Sequence, residues 1–168
     1  MFKSPQQYPS YDLGDQRKQK CKENWLEKGK NVLRLEVYSD GACRGNPGPS
    51  AIAFMIFTDN GEILKRGSEY VGFGTNNQAE YKALISALDA ASKMESQEVV
   101  CYLDSELVVK QLNGEYRVKN PNLRKLWLQV QDLKKSFEKM SFLHVPRTEK
   151  HIEEVDSLAN QTLRALIL

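Results

Sequence analysis

Residues 38–57 read YSDGACRGNPGPSAIAFMIF, and the way this stretch is divided decides how the chain folds. It links the alternating run VLRLEVYS (32–39) to the apolar run AIAFMIF (51–57) through glycines and prolines. Alternation marks a half-buried strand, and a short apolar run bounded by turn residues marks a buried one. NPGP at 46–49 therefore reads as a turn between two strands. DNG at 59–61 is a hairpin signal leading into GEILKRGSEYVGF (61–73), a third strand. Three consecutive strands joined by short turns pair antiparallel. Asp40 stands where the first strand is expected to end, a carboxylate pressed between an apolar run and a rigid loop.

Beyond residue 74 the period changes. TNNQAEYKALISALDAASK (75–93) carries Leu84, Ile85, Leu88 and Ala91 at helical spacing, with Thr75 or Asn76 available as N-cap. EVVCYLD (98–104) reads as a buried strand and SELVVKQLN (105–113) as a helix beginning directly after it. NLRKLWLQVQDLKKSFEKM (122–140) predicts another helix, MSFLHV (140–145) a last strand and IEEVDSLANQTLRALIL (152–168) a closing helix. Strands that feed helices late in the chain pair in parallel. The expectation is an α/β fold: a five-stranded mixed sheet, three antiparallel strands then two parallel ones, flanked by helices.

The chain has 168 residues, 40% apolar and 27% charged, a balance that favours one globular domain over a disordered chain. Its apolar runs are too short to span a bilayer and its start lacks a signal-peptide pattern, so a cytoplasmic protein without membrane contact is expected. Cys21, Cys43 and Cys101 form an odd set without metal-ligand spacing, which argues against a disulfide framework and a zinc site. Residues 1–33 hold seven Lys/Arg against four Asp/Glu, so the excess of positive charge sits there. Residues 1–32 read as a basic peripheral extension, either a solvated leader or an arm that touches nucleic acid, and residues 33–168 as the folded domain.

Four acids fall where a solvated charge has no reason to be. Asp40 closes the first strand and Asp104 the strand VVCYL, at the edge where open α/β sheets bind ligands. Glu80 shares a helix row with Leu84 and Leu88, which face the core. Asp156 lies in the first turn of the last helix, beside Val155. Helix starts and strand ends favour acids in any case, so each alone is ambiguous. Together, with no basic partners beside them in sequence, they fit hard oxygen ligation of Mg²⁺ or Mn²⁺. Two such ions would serve an in-line phosphodiester displacement.

SDGACRGNPGP (39–49), TNNQAEYKAL (75–84), CYLDSELVVKQLNGEYRVKNPNL (101–123) and HVPR with VDSLAN (144–160) resemble type 1 ribonuclease H, in its shorter archaeal and bacterial variety. That resemblance implies a metal-dependent endonuclease acting on the RNA strand of RNA–DNA hybrids as a monomer, with two Mg²⁺ or Mn²⁺ ions and 3′-hydroxyl and 5′-phosphate ends. Asp40, Glu80, Asp104 and Asp156 match the family's metal-binding acids. Cys43, Asn46, Asn76, Asn77 and Glu106 fall on positions that contact the hybrid, where 2′-hydroxyls distinguish RNA. Thr75 and Asn120 match residues that hold a DNA phosphate, and Gln78 replaces a basic side chain of some members. Each has a plainer alternative: Asn76 or Asn77 as a helix cap, Cys43 as a small loop filler.

The chain departs from the better-known members twice. GEYRVKNP (114–121) leaves no room for the extra basic helix and loop that others use to grip substrate; Arg117, Lys119, Arg124 and Lys125 are the nearby substitutes, with a solvated face as the plain alternative for Arg124 and Lys125. The loop RTEKHIEE before Asp156 has His151, Arg147 and Glu149 as candidates for the proton-transfer or product-release role of a mobile histidine. Ile152 occupies a position that is usually polar.

Overall fold

The computed structural model describes residues 34–166; the basic extension expected over residues 1–32, and Cys21 within it, lie outside the described residues. Five strands, β1 (Arg34–Cys43), β2 (Gly48–Thr58), β3 (Ile63–Gly74), β4 (Glu98–Leu103) and β5 (Lys139–His144), form one sheet in the order β3-β2-β1-β4-β5. Four helices accompany them: α1 (Asn76–Ser92), α2 (Glu106–Leu112), α3 (Pro121–Lys134) and α4 (Lys150–Ala165). β1, β2 and β3 are antiparallel, whereas β4 runs parallel to both β1 and β5. The mixed sheet expected from the order of elements is thus the one observed.

Alternation along β1 splits the core in two. Leu35 and Val37 point to one side with Phe54 and Ile56 of β2, where Tyr81, Leu84 and Leu88 of α1 close over them. Tyr38 and Ala42 point to the other, with Ala51, Ala53 and Phe57, and meet Ile152, Val155, Ala159 and Leu163 of α4. Burying each large aliphatic side chain contributes roughly 1.5–3 kcal/mol, more than the propensity of any single helix position. Those packed rows hold the helices in place. Ile152 is fully buried in the α4 core.

Four boundaries differ clearly from the sequence expectation. β1 continues through Cys43 instead of ending at Asp40, and β2 begins at Gly48, inside the expected turn. The ladder persists because Arg44 N–H donates to Pro49 O at 2.8 Å, and the Cys43 thiol reaches the Gly45 and Gly74 carbonyls, tying the loop to the end of β3. α3 stops at Lys134: Phe137 turns into the core, and the Glu138 and Lys139 amides donate to Gln97 O, drawing the chain into β5. α4 starts at Lys150 because the Glu149 carboxylate accepts from the amides of His151 and Ile152. No described helix is long and apolar enough to cross a membrane.

Candidate metal centre and nucleic-acid face

Asp40 and Asp104 are neighbours through the parallel register. Pairing of β1 with β4 runs from Arg34 with Glu98 to Tyr38 with Tyr102. Two residues beyond the last pair, Asp40 and Asp104 stand at the same end of the two strands, where their carboxylate oxygens lie within 4.8 Å. Both share the face of Tyr38 and Tyr102, whose rings stack at 4.7 Å.

Glu80 arrives from α1, and Gly41 makes its approach possible. A Cβ at position 41 would lie 2.4 Å from the Ala79 carbonyl carbon and 2.5 Å from the Glu80 nitrogen. Only a glycine lets the first turn of α1 rest on the strand backbone. One carboxylate oxygen each from Asp40, Glu80 and Asp104 then lie within 4.8 Å of one another. Asp156 stands outside this triad but comes alongside Asp40 from α4. Its Oδ1 accepts from Asn160 Nδ2 at 3.1 Å, one helical turn away.

These carboxylates are held away from water. Asp40 is 1% and Glu80 7% exposed, and Asp40 Oδ1 and Glu80 Oε2 are buried without a hydrogen-bond partner. Burial foremost, and then neighbouring carboxylates, push Asp40 up to about 7 and Glu80 well above the usual carboxylate range. A divalent cation would supply the missing compensation. Hard oxygen donors, two of them orphaned, fit Mg²⁺ or Mn²⁺.

Among the described residues, Arg147 makes the one ion pair to this group, from Nε to Asp104 Oδ2 at 3.0 Å. The Arg147 side chain is 77% exposed and that of Asp104 only 6%, so a cation free to swing into solvent compensates a carboxylate shielded from it. His151 is placed otherwise: its ring packs on Phe57 and Tyr38 at centroid distances of 4.4 and 4.8 Å. Glu149 is engaged as the α4 cap. His144 ends β5, its Nε2 3.2 Å from Asp104 O.

The remaining expected contacts ring the acids from the loop and the helix starts. Thr75 caps α1 in a reciprocal box with Gln78, Thr75 Oγ1 accepting from Gln78 N and Gln78 Oε1 from Thr75 N. Asn46 Oδ1 accepts from Asn76 N at 3.1 Å, joining the Gly-rich loop to that helix start, and Asn77 follows in the first turn. Asn120 caps α3 through the amides of Asn122 and Leu123. Glu106, at the first position of α2, pairs with Lys110 at 2.7 Å on the surface. Cys43 is the tie described above, half-buried and a free thiol. Gly41 and Asn160 belong to the site as well, beyond the residues expected from sequence. The glycine directly after the acid was the available signal for the first, and the Asp-x-x-x-Asn spacing for the second.

The chain matches the family described as "Reverse transcriptase-like" over residues 38–162. It is 42% identical over 130 residues to "Ribonuclease HI" of Halobacterium salinarum, which covers 77% of this chain; the chain in turn spans 64% of that relative's length. The crystal structure of RNase H1 from the same archaeon superimposes with a TM-score of 0.75 at 41% identity, covering 79% of this chain and 98% of that one. LC11-RNase H1 in complex with an RNA/DNA hybrid gives a TM-score of 0.75 at 36% identity, covering 80% and 99%.

Proposed function

The chain belongs to the type 1 ribonuclease H family, and we propose that it hydrolyses the RNA strand of RNA–DNA hybrids as a metal-dependent endonuclease. The observation that carries this reading is the convergence of Asp40, Glu80 and Asp104 at the carboxyl edge of the parallel strands, with Asp40 and Glu80 buried and each holding an oxygen without a partner. Asp40, Glu80, Asp104 and Asp156 hold the ions. Two divalent ions held by these carboxylates would supply an activated water and charge stabilisation at the leaving 3′ oxygen, which would give 3′-hydroxyl and 5′-phosphate ends.

The chain's own groups orient the strand. Glu106, released from Lys110, accepts from a 2′-hydroxyl of the RNA, and Asn46, Asn76 and Asn77 meet the minor groove, where those hydroxyls lie. Cys43 keeps the Gly-rich loop close enough to touch the backbone. Thr75, Gln78 and Asn120 mark helix starts, whose amides favour phosphate oxygens of the DNA strand. Arg147 takes the loop role and would give up Asp104 to a bound cation, while His151 serves packing. The protein acts as a cytoplasmic monomer, with residues 33–168 as its catalytic domain and 1–32 as a basic extension.

The test compares end-labelled RNA–DNA hybrid with RNA–RNA, DNA–DNA and single-stranded RNA in Mg²⁺, Mn²⁺ or EDTA, for the parent and Asp104→Asn. RNA is cut only in the hybrid, and both EDTA and the substitution abolish cleavage. A parent that binds the hybrid and cuts nothing with either ion refutes the nuclease and leaves a hybrid-binding module.

A further inference from the structure

β3 is an outer strand of the sheet, with β2 on one side and no neighbour on the other among the described residues. Neither core draws a side chain from it. It nevertheless holds four large apolar side chains in solvent: Ile63 is 53%, Leu64 42%, Tyr70 46% and Phe73 71% exposed. A long edge strand offers its unpaired amides and carbonyls to another strand, and soluble proteins usually blunt it with charge or bulges. β3 has both devices. Its pairing with β2 shifts register on either side of residues 65–70, and that regular stretch holds Lys65, Arg66 and Glu69.

The placement of those charges reverses the usual outcome. Lys65 and Glu69 lie two residues either side of Gly67, opposite Ile56 and Ile52 of β2 as Gly67 is opposite Phe54. Both are exposed and stand outside the ion pairs of the described residues. Two copies of β3 running antiparallel about a two-fold axis at Gly67 bring Lys65 of each opposite Glu69 of the other. Directly opposed residues stand about 4.5–5.5 Å apart at Cβ, within reach of an ion pair. Arg66 faces the neutral Ser68, and its own counterpart lies only on the diagonal, about 7–8 Å away. Leu64 comes opposite Tyr70, which covers two of the exposed apolar side chains in each copy. A charge pattern that blocks self-pairing sets like signs against each other; this one sets opposite signs.

The middle of the strand suits the contact as well. Gly67 brings no side chain to the axis, and the Phe54 ring fills the space a Cβ would need, its Cε1 only 2.8 Å away. A cleft of about 190 Å³ lies here, lined by Ile52, Phe54, Gly67, Ser68, Glu69 and Ser86. Apolar surface from Ile52 and Phe54 beside the Glu69 carboxylate suits a lysine, which buries its stem and keeps its ammonium at the rim. The open edge ends at Val71, whose carbonyl already accepts from Lys82 Nζ at 3.3 Å. We propose that β3 is a self-association surface: two copies join edge to edge through residues 64–70, each Lys65 entering the cleft of the other to meet Glu69. The two five-stranded sheets then continue into one another. The acids stand at the ends of β1 and β4, with β2 between them and this edge, so the single chain stays the catalytic unit and the pair unites two of them.

The test measures the mass of the full chain by light scattering and sedimentation across a concentration series, beside Lys65→Glu, Glu69→Lys and an equal mixture of the two. The parent should show a monomer–dimer equilibrium. Each single substitution sets like charges against each other at two symmetric places and should raise the dimer dissociation constant about tenfold or more. In the mixture every contact is again one acid against one base, so a heterodimer should form with an affinity near that of the parent. Circular dichroism and melting temperature of both variants should match the parent, which separates lost association from lost folding without reference to the nuclease reading. A parent that stays monomeric throughout overturns the surface. Single substitutions that dimerise like the parent overturn it too, since the contact then lies elsewhere. A mixture that fails to recover what the two variants lose overturns the pairing of Lys65 with Glu69.

Discussion

Replacing Asp40 by Asn should stabilise the metal-free protein while abolishing cleavage. Asp40 is 1% exposed, and burial with its neighbouring carboxylates pushes it up to about 7 in the folded state. In the unfolded chain it titrates near 3.9. A raised folded value means that the native state binds this proton more tightly. The contribution is therefore fully present below about pH 4 and lost as pH rises through about 7. At pH 8 the deficit amounts to about 4 kcal/mol, and at pH 5 to about 1.5 kcal/mol. Asn is neutral throughout, and its amide can donate to the carboxylate of Glu80, one oxygen of which is buried without a partner. Thermal melts of parent and variant in EDTA from pH 4.5 to 8 should show a gap that opens with pH, on the order of 10 °C at pH 8. Adding Mg²⁺ should narrow it, because binding stabilises the parent more. Equal melting temperatures at pH 8 in EDTA, or a gap as large at pH 4.5, would refute the idea that the buried charge is uncompensated.

Gly41→Ala places a Cβ 2.4 Å from the Ala79 carbonyl carbon, so α1 has to move. Overpacking of this kind costs about 1–3 kcal/mol, and displacing Glu80 by about 1 Å should lower hybrid cleavage about 100-fold, measured by melting and by initial rates. Arg147→Ala leaves the Asp104 side chain, 6% exposed, without its cation and should destabilise the metal-free protein by about 1–3 kcal/mol. The Mg²⁺ concentration for half-maximal cleavage should fall, and an unchanged midpoint would show that Arg147 does not compete with the ions. Thr75→Ala loses the α1 cap and should cost about 1 kcal/mol, read as a fall in melting temperature of a few degrees.

The strand order and the mixture of pairings were legible because each turn signal and each change of period lay in local sequence. Element ends were less so. Nothing in DGACR says that β1 continues past Asp40, since a bond from Arg44 to Pro49 and the ties of Cys43 hold it there. Lys134 ends α3 because Phe137 finds space in a core made of distant residues. For the site, the acids could be picked out by the apolar company they keep. Their arrangement could not, because it depends on a parallel register between residues more than sixty positions apart and on a helix resting upon Gly41. His151 looked suited to proton traffic from its loop position, and only the packed structure reveals the rings of Tyr38 and Phe57 against it.

The acids are gathered from opposite sides of the sheet. Asp40 and Asp156 belong to the side closed by α4, Glu80 to the side closed by α1, and they meet where the ladder between β1 and β4 runs out. Neither half of the interior can assemble the centre by itself. Partial loosening, such as α4 lifting away while α1 stays docked, would leave most secondary structure intact yet separate the acids. Activity therefore serves as a more sensitive gauge of native packing than helix content does, and on gentle heating cleavage should fade before the far-ultraviolet spectrum changes.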